Sequence, residues 1–196
     1  MWQLLIGLLL FLGIHSLQSL APQLRQNALQ RFGTWPYKAM YASLSGLGFY
    51  LLVQGYGQAR AEAIAIWTPP AGMQHGTLLL MWLAMVLLVA SYVPHNTLKA
   101  KVRHPMTLSV KVWALAHLLA NGNLADLLLF GGFLLWSVVV FRAARQRDRM
   151  HEIDVAPTSG SRTLLTLLIG TGLWGAFVFG GLHLWLIGVN PLVFSS

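Results

Sequence analysis

Apolar residues fall in six long runs separated by short polar stretches, and this pattern predicts an all-α bundle of membrane helices. A helix needs about 20 apolar residues to cross a bilayer. The fourth run is shorter than that, so we expect it to be a buried or inward-shifted helix in a bundle of about six transmembrane helices. The predicted helices run from about Trp2 to Leu20, Tyr37 to Tyr56, Thr77 to Pro94, Pro105 to Ala120, Leu124 to Phe141 and Leu164 to Gly188.

Basic residues gather between the runs and predict the orientation of the bundle. The second loop has only Arg60 and the fourth has none, whereas the first, third and fifth loops are rich in Lys and Arg. Positively charged loops stay in the cytoplasm, so we expect the odd loops inside and both termini outside. The residues concerned are Arg25, Arg31, Lys38, Lys99, Lys101, Arg103, Arg142, Arg145, Arg147, Arg149 and Arg162.

Composition narrows the possible chemistry. The 196 residues are 56% hydrophobic and 9% charged, which is more apolar surface than a soluble core of this size can hide, so the first partner is a lipid bilayer. The net charge of +8 is distributed as in cytoplasmic loops, and we expect no nucleic-acid partner. Cysteine is absent, which excludes disulfides, thiolate ligands, Fe–S clusters and covalently attached haem.

The chain shows few signs of processing or division. Pro22 follows the first run closely and there is no basic flank before it, so we predict a retained helix rather than a cleaved leader. The segment from His151 to Ser161 contains Pro157 and Gly160 and is predicted to be a mobile loop. We predict a single domain over residues 1–196.

Two histidines inside apolar helices are the first candidates for chemistry. Imidazole at bilayer depth is costly unless it faces the bundle interior, a cavity or a ligand. His15 lies about one turn from the end of the first helix, where a packing histidine bonded to a neighbouring helix is the alternative. His117 shares one face of the fourth helix with Trp113 and Asn121, at intervals of four. A stripe of this composition indicates a ligand-lining face.

The other histidines are predicted to lie nearer the surface or to serve as caps. His104 precedes Pro105, which suits a first helical position, so His104 is either a helix cap or part of the site. His95, followed by Asn96, indicates a helix break and cap. His183 is expected in the outer half of the sixth helix, at a depth similar to that of His117. His75 and His151 are predicted to lie in loops.

The distribution of charged residues favours a haem over other metal sites. The carboxylates lie in predicted loops or at helix ends, which gives little support to a facial triad or a catalytic zinc site. Ligation of a non-covalent haem b by two imidazoles fits better, with glycines leaving room for the macrocycle. Arg103 and Lys111, together with Lys101, are candidate partners of the propionates, although Lys111 could instead extend to the headgroups. The carboxylates are Glu62, Asp126, Asp148, Glu152 and Asp154.

Four segments of the chain resemble the NnrU family of bacterial membrane proteins. They are Gly7–Ser16, the Arg103-His104-Pro105 triplet, Trp113–Gly122 and Leu128–Gly131. The resemblance covers most of the chain and implies one NnrU-like transmembrane domain over residues 1–196 in a bacterial inner membrane. It also implies a link to nitrite and nitric oxide metabolism in denitrifying bacteria, without a settled biochemical activity.

The NnrU family is similar in turn to the plastid 15-cis-zeta-carotene isomerase, a haem b membrane enzyme. This resemblance implies that His15, His104 and His117 match its histidine positions, with His15 and His117 as the metal ligands. His104 and His117 are too far apart along one helix to share an iron, so His104 would be an outer or alternative ligand. The isomerase is thought to exchange a histidine for a cysteine near the position of Ala114, and this chain departs from it there. An apolar small molecule or a respiratory protein would be the partner.

Arg103-His104-Pro105-Met106 also resembles a segment of the isoprenylcysteine carboxyl methyltransferases, which bind S-adenosylmethionine. Thr107 and Ser109 stand where those enzymes have tyrosine and glycine, and Asp148 with Glu152 matches their later acidic pair only in part. Three hypotheses follow. They are a haem b protein with a possible isomerase-like activity, a non-enzymatic accessory or assembly subunit of a respiratory complex, and a membrane methyltransferase.

Overall fold

The computed structural model describes residues 1–62, 64–70, 72–150 and 157–192. Within these ranges the regular structure is helical, and the one β-type pairing is an isolated bridge between Ala65 and Asn123. The all-α prediction is confirmed. The helices are α1 (Trp2–Leu20), α2 (Pro22–Phe32), α3 (Thr34–Ala61), α4 (Met73–Tyr92), α5 (Thr97–Val102), α6 (Pro105–Ala120), α7 (Leu124–Met150), α8 (Gly160–Val178) and α9 (Leu182–Ile187).

Among the described helices, four are long and apolar enough to cross a membrane, namely α1, α4, α7 and α8. Helix α6 is apolar but has only 16 residues, as its sequence predicts. Helix α3 is long enough, with 28 residues, but its most apolar 18-residue stretch does not reach the hydropathy of a candidate span. These apolar helices are those of an integral membrane protein. The count of about six spans and the location of both termini outside the cytoplasm stay predictions.

Several helices differ in extent from the prediction. Helices α1 and α6 begin and end where predicted, but α3 extends at both ends and α7 continues past Phe141 to Met150. The basic residues Arg142, Arg145, Arg147 and Arg149 therefore lie on α7 and not in a loop. Arginine and glutamine are good helix formers, so a helix continues beyond its apolar part. The polar helices α2 and α5 replace predicted loops. Helix α2 is rich in the same two residue types, and at the start of α5 the Asn96 side chain accepts a hydrogen bond from the Lys99 amide.

The predicted sixth helix is not continuous. Helix α8 ends at Val178 and α9 begins after Gly181, which has a φ of 74°. A positive φ is readily adopted only by glycine, so Gly181 allows the chain to break where the apolar run continues. Of the predicted loop before α8, His151, Glu152 and Asp154 lie outside the described residues.

The chain divides into two compact units. Unit 1 comprises Met1–Thr68 and Asn121–Ala144, and unit 2 comprises Pro69–Ala120 and the chain from Arg145 onward. In unit 1, α1 packs along α3 over a core that includes Leu4, Leu8 and Leu52. In unit 2, α4 packs against both α6 and α8.

Close helix contacts in both units are made at glycines. A Cβ on Gly55 of α3 would come within 2.7 Å of the backbone of Gln3 and Leu4, and one on Gly48 within 2.9 Å of the Phe11 nitrogen. In unit 2, a Cβ on Gly170 would lie 2.7 Å from the Cα of Val86. Small residues let helix backbones approach in membranes. These glycines therefore serve helix packing, where we expected glycines to leave room for a macrocycle.

Candidate functional site

His15 is oriented by the turn of α1 that precedes it. Its ring Nδ1 donates to the carbonyl oxygen of Phe11, four residues earlier, at 2.7 Å. A carbonyl oxygen can only accept, so the proton is on Nδ1, and in the neutral imidazole Nε2 carries the lone pair. The half-buried ring lies 4.2 Å from the Phe11 ring and 5.6 Å from the Tyr41 ring, between centroids. Within the described residues, no hydrogen bond reaches Nε2.

Aromatic side chains of α1, α3 and α7 surround His15. The Phe11 ring lies 6.2 Å from that of Phe49 on α3 and 6.0 Å from that of Phe133 on α7. The residue after His15 is Ser16, whose hydroxyl accepts a hydrogen bond from the indole N–H of Trp136 on α7 at 2.9 Å. The imidazole is therefore held in an apolar, ring-lined part of unit 1.

His117 on α6 repeats the arrangement of His15. Its Nδ1 donates to the carbonyl oxygen of Trp113, four residues earlier, at 2.9 Å, and its ring lies 5.1 Å from the indole ring of that residue. The helix backbone is anchored beside it, because the Thr77 hydroxyl of α4 donates to the Ala116 carbonyl at 3.3 Å. His117 is half-buried, in unit 2. The same protonation argument places the lone pair of its neutral form on Nε2.

The Arg103-His104-Pro105 triplet forms a strained turn between α5 and α6. Arg103 has φ 64° and ψ −44°, and the His104 amide donates to the Val102 carbonyl at 2.7 Å. These are the features of a γ-turn with positive φ, which is rare and strained for a residue with a side chain. His104 stands directly before α6, and its carbonyl accepts from the Leu108 amide at 3.2 Å. Its predicted place at the helix start is confirmed.

Asp148, in the last turns of α7, joins this turn and forms what we call the Arg103–His104–Asp148 cluster. His104 Nε2 donates to Oδ2 of Asp148 at 2.9 Å, and Nη1 of Arg103 lies 3.8 Å from the same oxygen. The Asp148 side chain is only 9% exposed. The proton of His104 thus lies on Nε2, opposite to the arrangement in His15 and His117.

Lys111 lies within α6, half-buried, between His104 and His117. His117 lies six positions further along the helix, which corresponds to about 9 Å along its axis and about 120° around it. The two side chains therefore leave α6 in different directions. Among the described residues, none forms a hydrogen bond or ion pair with Lys111.

The other histidines differ from the predictions or have structural roles. His183 lies on the short helix α9 rather than within a long sixth helix, and its Nδ1 donates to the Val189 carbonyl at 2.7 Å. His75 lies in the first turn of α4, where a loop was predicted. His95 has a φ of 58° and precedes Asn96, whose side chain accepts from the Lys99 amide. The predicted cap after α4 is therefore confirmed.

No group of three or more His, Cys, Asp or Glu side chains in the described ranges could hold a metal ion. The five predicted site residues divide between the units, with His15 in unit 1 and with Arg103, His104, Lys111 and His117 in unit 2.

A comparison with protein families places the chain. The family model described as NnrU protein matches residues 3–191. The chain belongs to the NnrU family. No curated protein and no solved structure matches it. The NnrU match includes every predicted site residue and the Arg103–His104–Asp148 cluster.

Two carboxylates of this NnrU family member have roles that sequence reasoning missed. One is Asp148 in the cluster, and the other is Asp126, which is fully buried and accepts from the Tyr56 hydroxyl at 2.5 Å and the Asn123 amide at 3.3 Å. Asp126 thereby caps α7 and links it to α3. A signal exists for Asp148, because it is a lone acid among the arginines of α7.

Proposed function

We propose that this NnrU family member is an integral membrane haem b protein, in which the imidazoles of His15 and His117 would hold the iron. The supporting observation is the repeated geometry of the two rings. Each donates Nδ1–H to the carbonyl four residues earlier and packs on the aromatic side chain of that residue. Histidines that ligate metals almost always donate their other ring N–H in this way, which orients the ring and raises its basicity.

The donor set of the chain suits haem b. Imidazole in apolar helices needs a partner, cysteine is absent, and histidine is a common axial ligand of non-covalent haem. The aromatic rings around His15 offer the apolar environment that a porphyrin face requires. When bound, haem b would supply a one-electron redox centre. Arg103 and Lys111 are the proposed propionate partners, Arg103 through a planar guanidinium that matches a carboxylate.

The physiological role that we propose is a link to nitrite and nitric oxide metabolism, or a redox isomerisation, in a bacterial inner membrane. This part rests on the family resemblance, and the partner would be an apolar small molecule or a respiratory protein. Ala114 is fully buried on α6 and offers no thiolate. Ligand exchange with a cysteine at this position is therefore not part of the proposal.

The test is the visible spectrum of the purified full-length protein and of three histidine variants. We expect a Soret band and a b-type pyridine haemochrome. His15→Ala and His117→Ala should each remove the haem or change its spin state, because each removes a directional bond to iron. His183→Ala is the matched control, since its Nδ1 also donates to a carbonyl but it lies outside the long apolar helices.

Two results would contradict this function. Absence of a b-type spectrum after haem reconstitution would favour the accessory or assembly subunit, with the histidines serving only in packing. Loss of haem in His183→Ala, together with an unchanged spectrum in His15→Ala, would show that the ligands are assigned to the wrong residues.

A second candidate function is methyl transfer, favoured by one observation. Asp148 of α7 meets His104 at 2.9 Å, so an acidic residue does stand beside the Arg-His-Pro segment. Titration calorimetry with S-adenosylmethionine tests it. Binding that is lost in Asp148→Asn would support methyl transfer, and absence of heat with the unaltered protein would exclude it.

A further inference from the structure

The first 61 residues of the chain contain basic residues but no aspartate or glutamate. Arg25 and Arg31 lie on α2, and Lys38 lies in the first turns of α3. Within the described residues, none of the three forms an ion pair. Their charges are therefore open to solvent or to anionic groups outside the described residues.

Large apolar side chains are exposed beside these cations. Helix α2 has no buried residue, and Leu24, Phe32 and Trp35 are 63%, 54% and 80% exposed. The Lys38 ammonium lies 5.4 Å from the centre of the Trp35 ring, and the Arg31 guanidinium lies 5.6 Å from that of Phe32. Basic side chains paired with exposed aromatic rings are typical of a membrane interface, where the ring is half in lipid and the charge meets the headgroups.

The connections of α2 also place it at a membrane surface. Single residues, Ala21 and Gly33, join it to α1 and α3. Helix α1 is one of the helices able to cross the membrane, so α2 begins where a crossing helix ends. Leu24 and Arg31, seven residues apart, lie on the same face of α2. One face thus carries both an apolar group and a charge.

We propose that α2 and the first turns of α3 form a binding surface for anionic phospholipids. The lipid phosphates neutralise Arg25, Arg31 and Lys38, while Phe32 and Trp35 insert at the boundary between headgroups and acyl chains. The surface selects lipids by their negative charge and holds them by the apolar contact. This inference does not depend on haem binding.

Native mass spectrometry of the detergent-purified full chain tests the proposal, with phosphatidylglycerol and phosphatidylcholine as the probes. The unaltered protein should prefer phosphatidylglycerol. The combined variant Arg25→Gln, Arg31→Gln and Lys38→Gln should bind phosphatidylglycerol about a hundredfold more weakly. Each cation near an anionic surface contributes about fivefold to the affinity, and three are removed. Phosphatidylcholine binding should change little. Trp35→Gln, which keeps every charge, should weaken binding of both lipids equally.

The matched control removes three charges elsewhere. Lys101, Arg142 and Arg149 are also exposed, and within the described residues they have no cation–π partner. Their combined change to glutamine should alter phosphatidylglycerol binding less than threefold. An equal loss in both triple variants would overturn the proposal, because the effect would then be one of net charge. Displacement of the lipid by inorganic phosphate would also overturn it and indicate a site for free phosphate.

Circular dichroism shows whether the triple variants fold. If the first does not, Arg31→Gln alone should still lower phosphatidylglycerol affinity about fivefold. An unchanged affinity in this single variant would contradict the assigned surface.

Discussion

Gly55→Ala tests the close packing of α1 on α3. The added Cβ would come within 2.7 Å of the carbonyl carbon of Gln3 and the Cα of Leu4. Carbon atoms in favourable contact are about 3.5–4.0 Å apart, so the two helices would have to separate locally by about 1 Å. The obstructing atoms, of which the Leu4 nitrogen is the nearest, all belong to the backbone, so no side-chain rotation can relieve the contact.

The expected cost follows from two opposing effects. Inserting a methyl group into a well-packed region typically costs about 1–3 kcal/mol. Alanine is a better helix former than glycine by up to about 1 kcal/mol, which offsets part of that cost. Separation of the helices also loosens the contacts of Leu4, Leu8 and Leu52, which are buried between them. Because van der Waals packing is a main source of helix association in lipid, we expect a net loss of about 1–2 kcal/mol.

The assay measures the free energy of unfolding in mixed micelles, with circular dichroism monitoring the loss of helix. Gly57→Ala is the matched control, since it lies two residues further on α3 and a Cβ there would meet no described residue within 4 Å. It should keep or slightly raise the stability. If Gly55→Ala were as stable as Gly57→Ala, the helices would not approach as closely as described and the packing argument would be wrong.

Three further predictions concern the turns and the topology. Arg103→Gly should raise the free energy of unfolding by about 1 kcal/mol, because glycine removes the strain of a positive φ. A loss of stability would contradict this and show that the contacts of the Arg103 side chain stabilise the fold by more than the strain costs. Asn96→Ala should lower the free energy of unfolding by about 2 kcal/mol, since this buried side chain accepts from the Lys99 amide at 2.7 Å and donates to two backbone carbonyls. A change below about 0.5 kcal/mol, the usual range of surface substitutions, would contradict that reasoning. Reporter fusions after Arg31 should lie in the cytoplasm and those after Gly72 outside, and the reverse result would refute the charge-based topology.

The bounds of helices α1 and α6 could be predicted closely because hydrophobicity and end signals agree there. Helix α6 begins at Pro105 and ends before Asn121-Gly122, residues that favour helix starts and breaks respectively. Helix α2 has end signals of the same kind, Pro22 at its first position and Gly33 after its last residue, but a short polar helix and a polar loop have similar composition. The sequence therefore predicts a loop where α2 lies. The break at Gly181 was missed since the surrounding residues stay apolar.

The candidate site could be predicted from the sequence only where a side chain interacts with residues close to it along the chain. His15 and His117 stand out as imidazoles in apolar runs, and their hydrogen bonds lie within one helical turn. The partner of His104 is 44 residues away along the chain, so no local pattern reveals it. The positive φ of Arg103 was equally hidden, because arginine carries no preference for that conformation.

The position of the ring proton separates the histidines that sequence reasoning grouped together. His15 and His117 donate from Nδ1 to their own helix, which leaves Nε2, the atom farther from the backbone, as the basic nitrogen. His104 donates from Nε2 to Asp148, so a bond from that atom to a metal would require the Asp148 hydrogen bond to break. A nearly buried carboxylate would then lose its closest donor, which is costly. In the neutral ring of His104 the lone pair lies on Nδ1 instead, and the hydrogen bond from Nε2 to Asp148 links the start of α6, the end of α7 and the strained Arg103 turn.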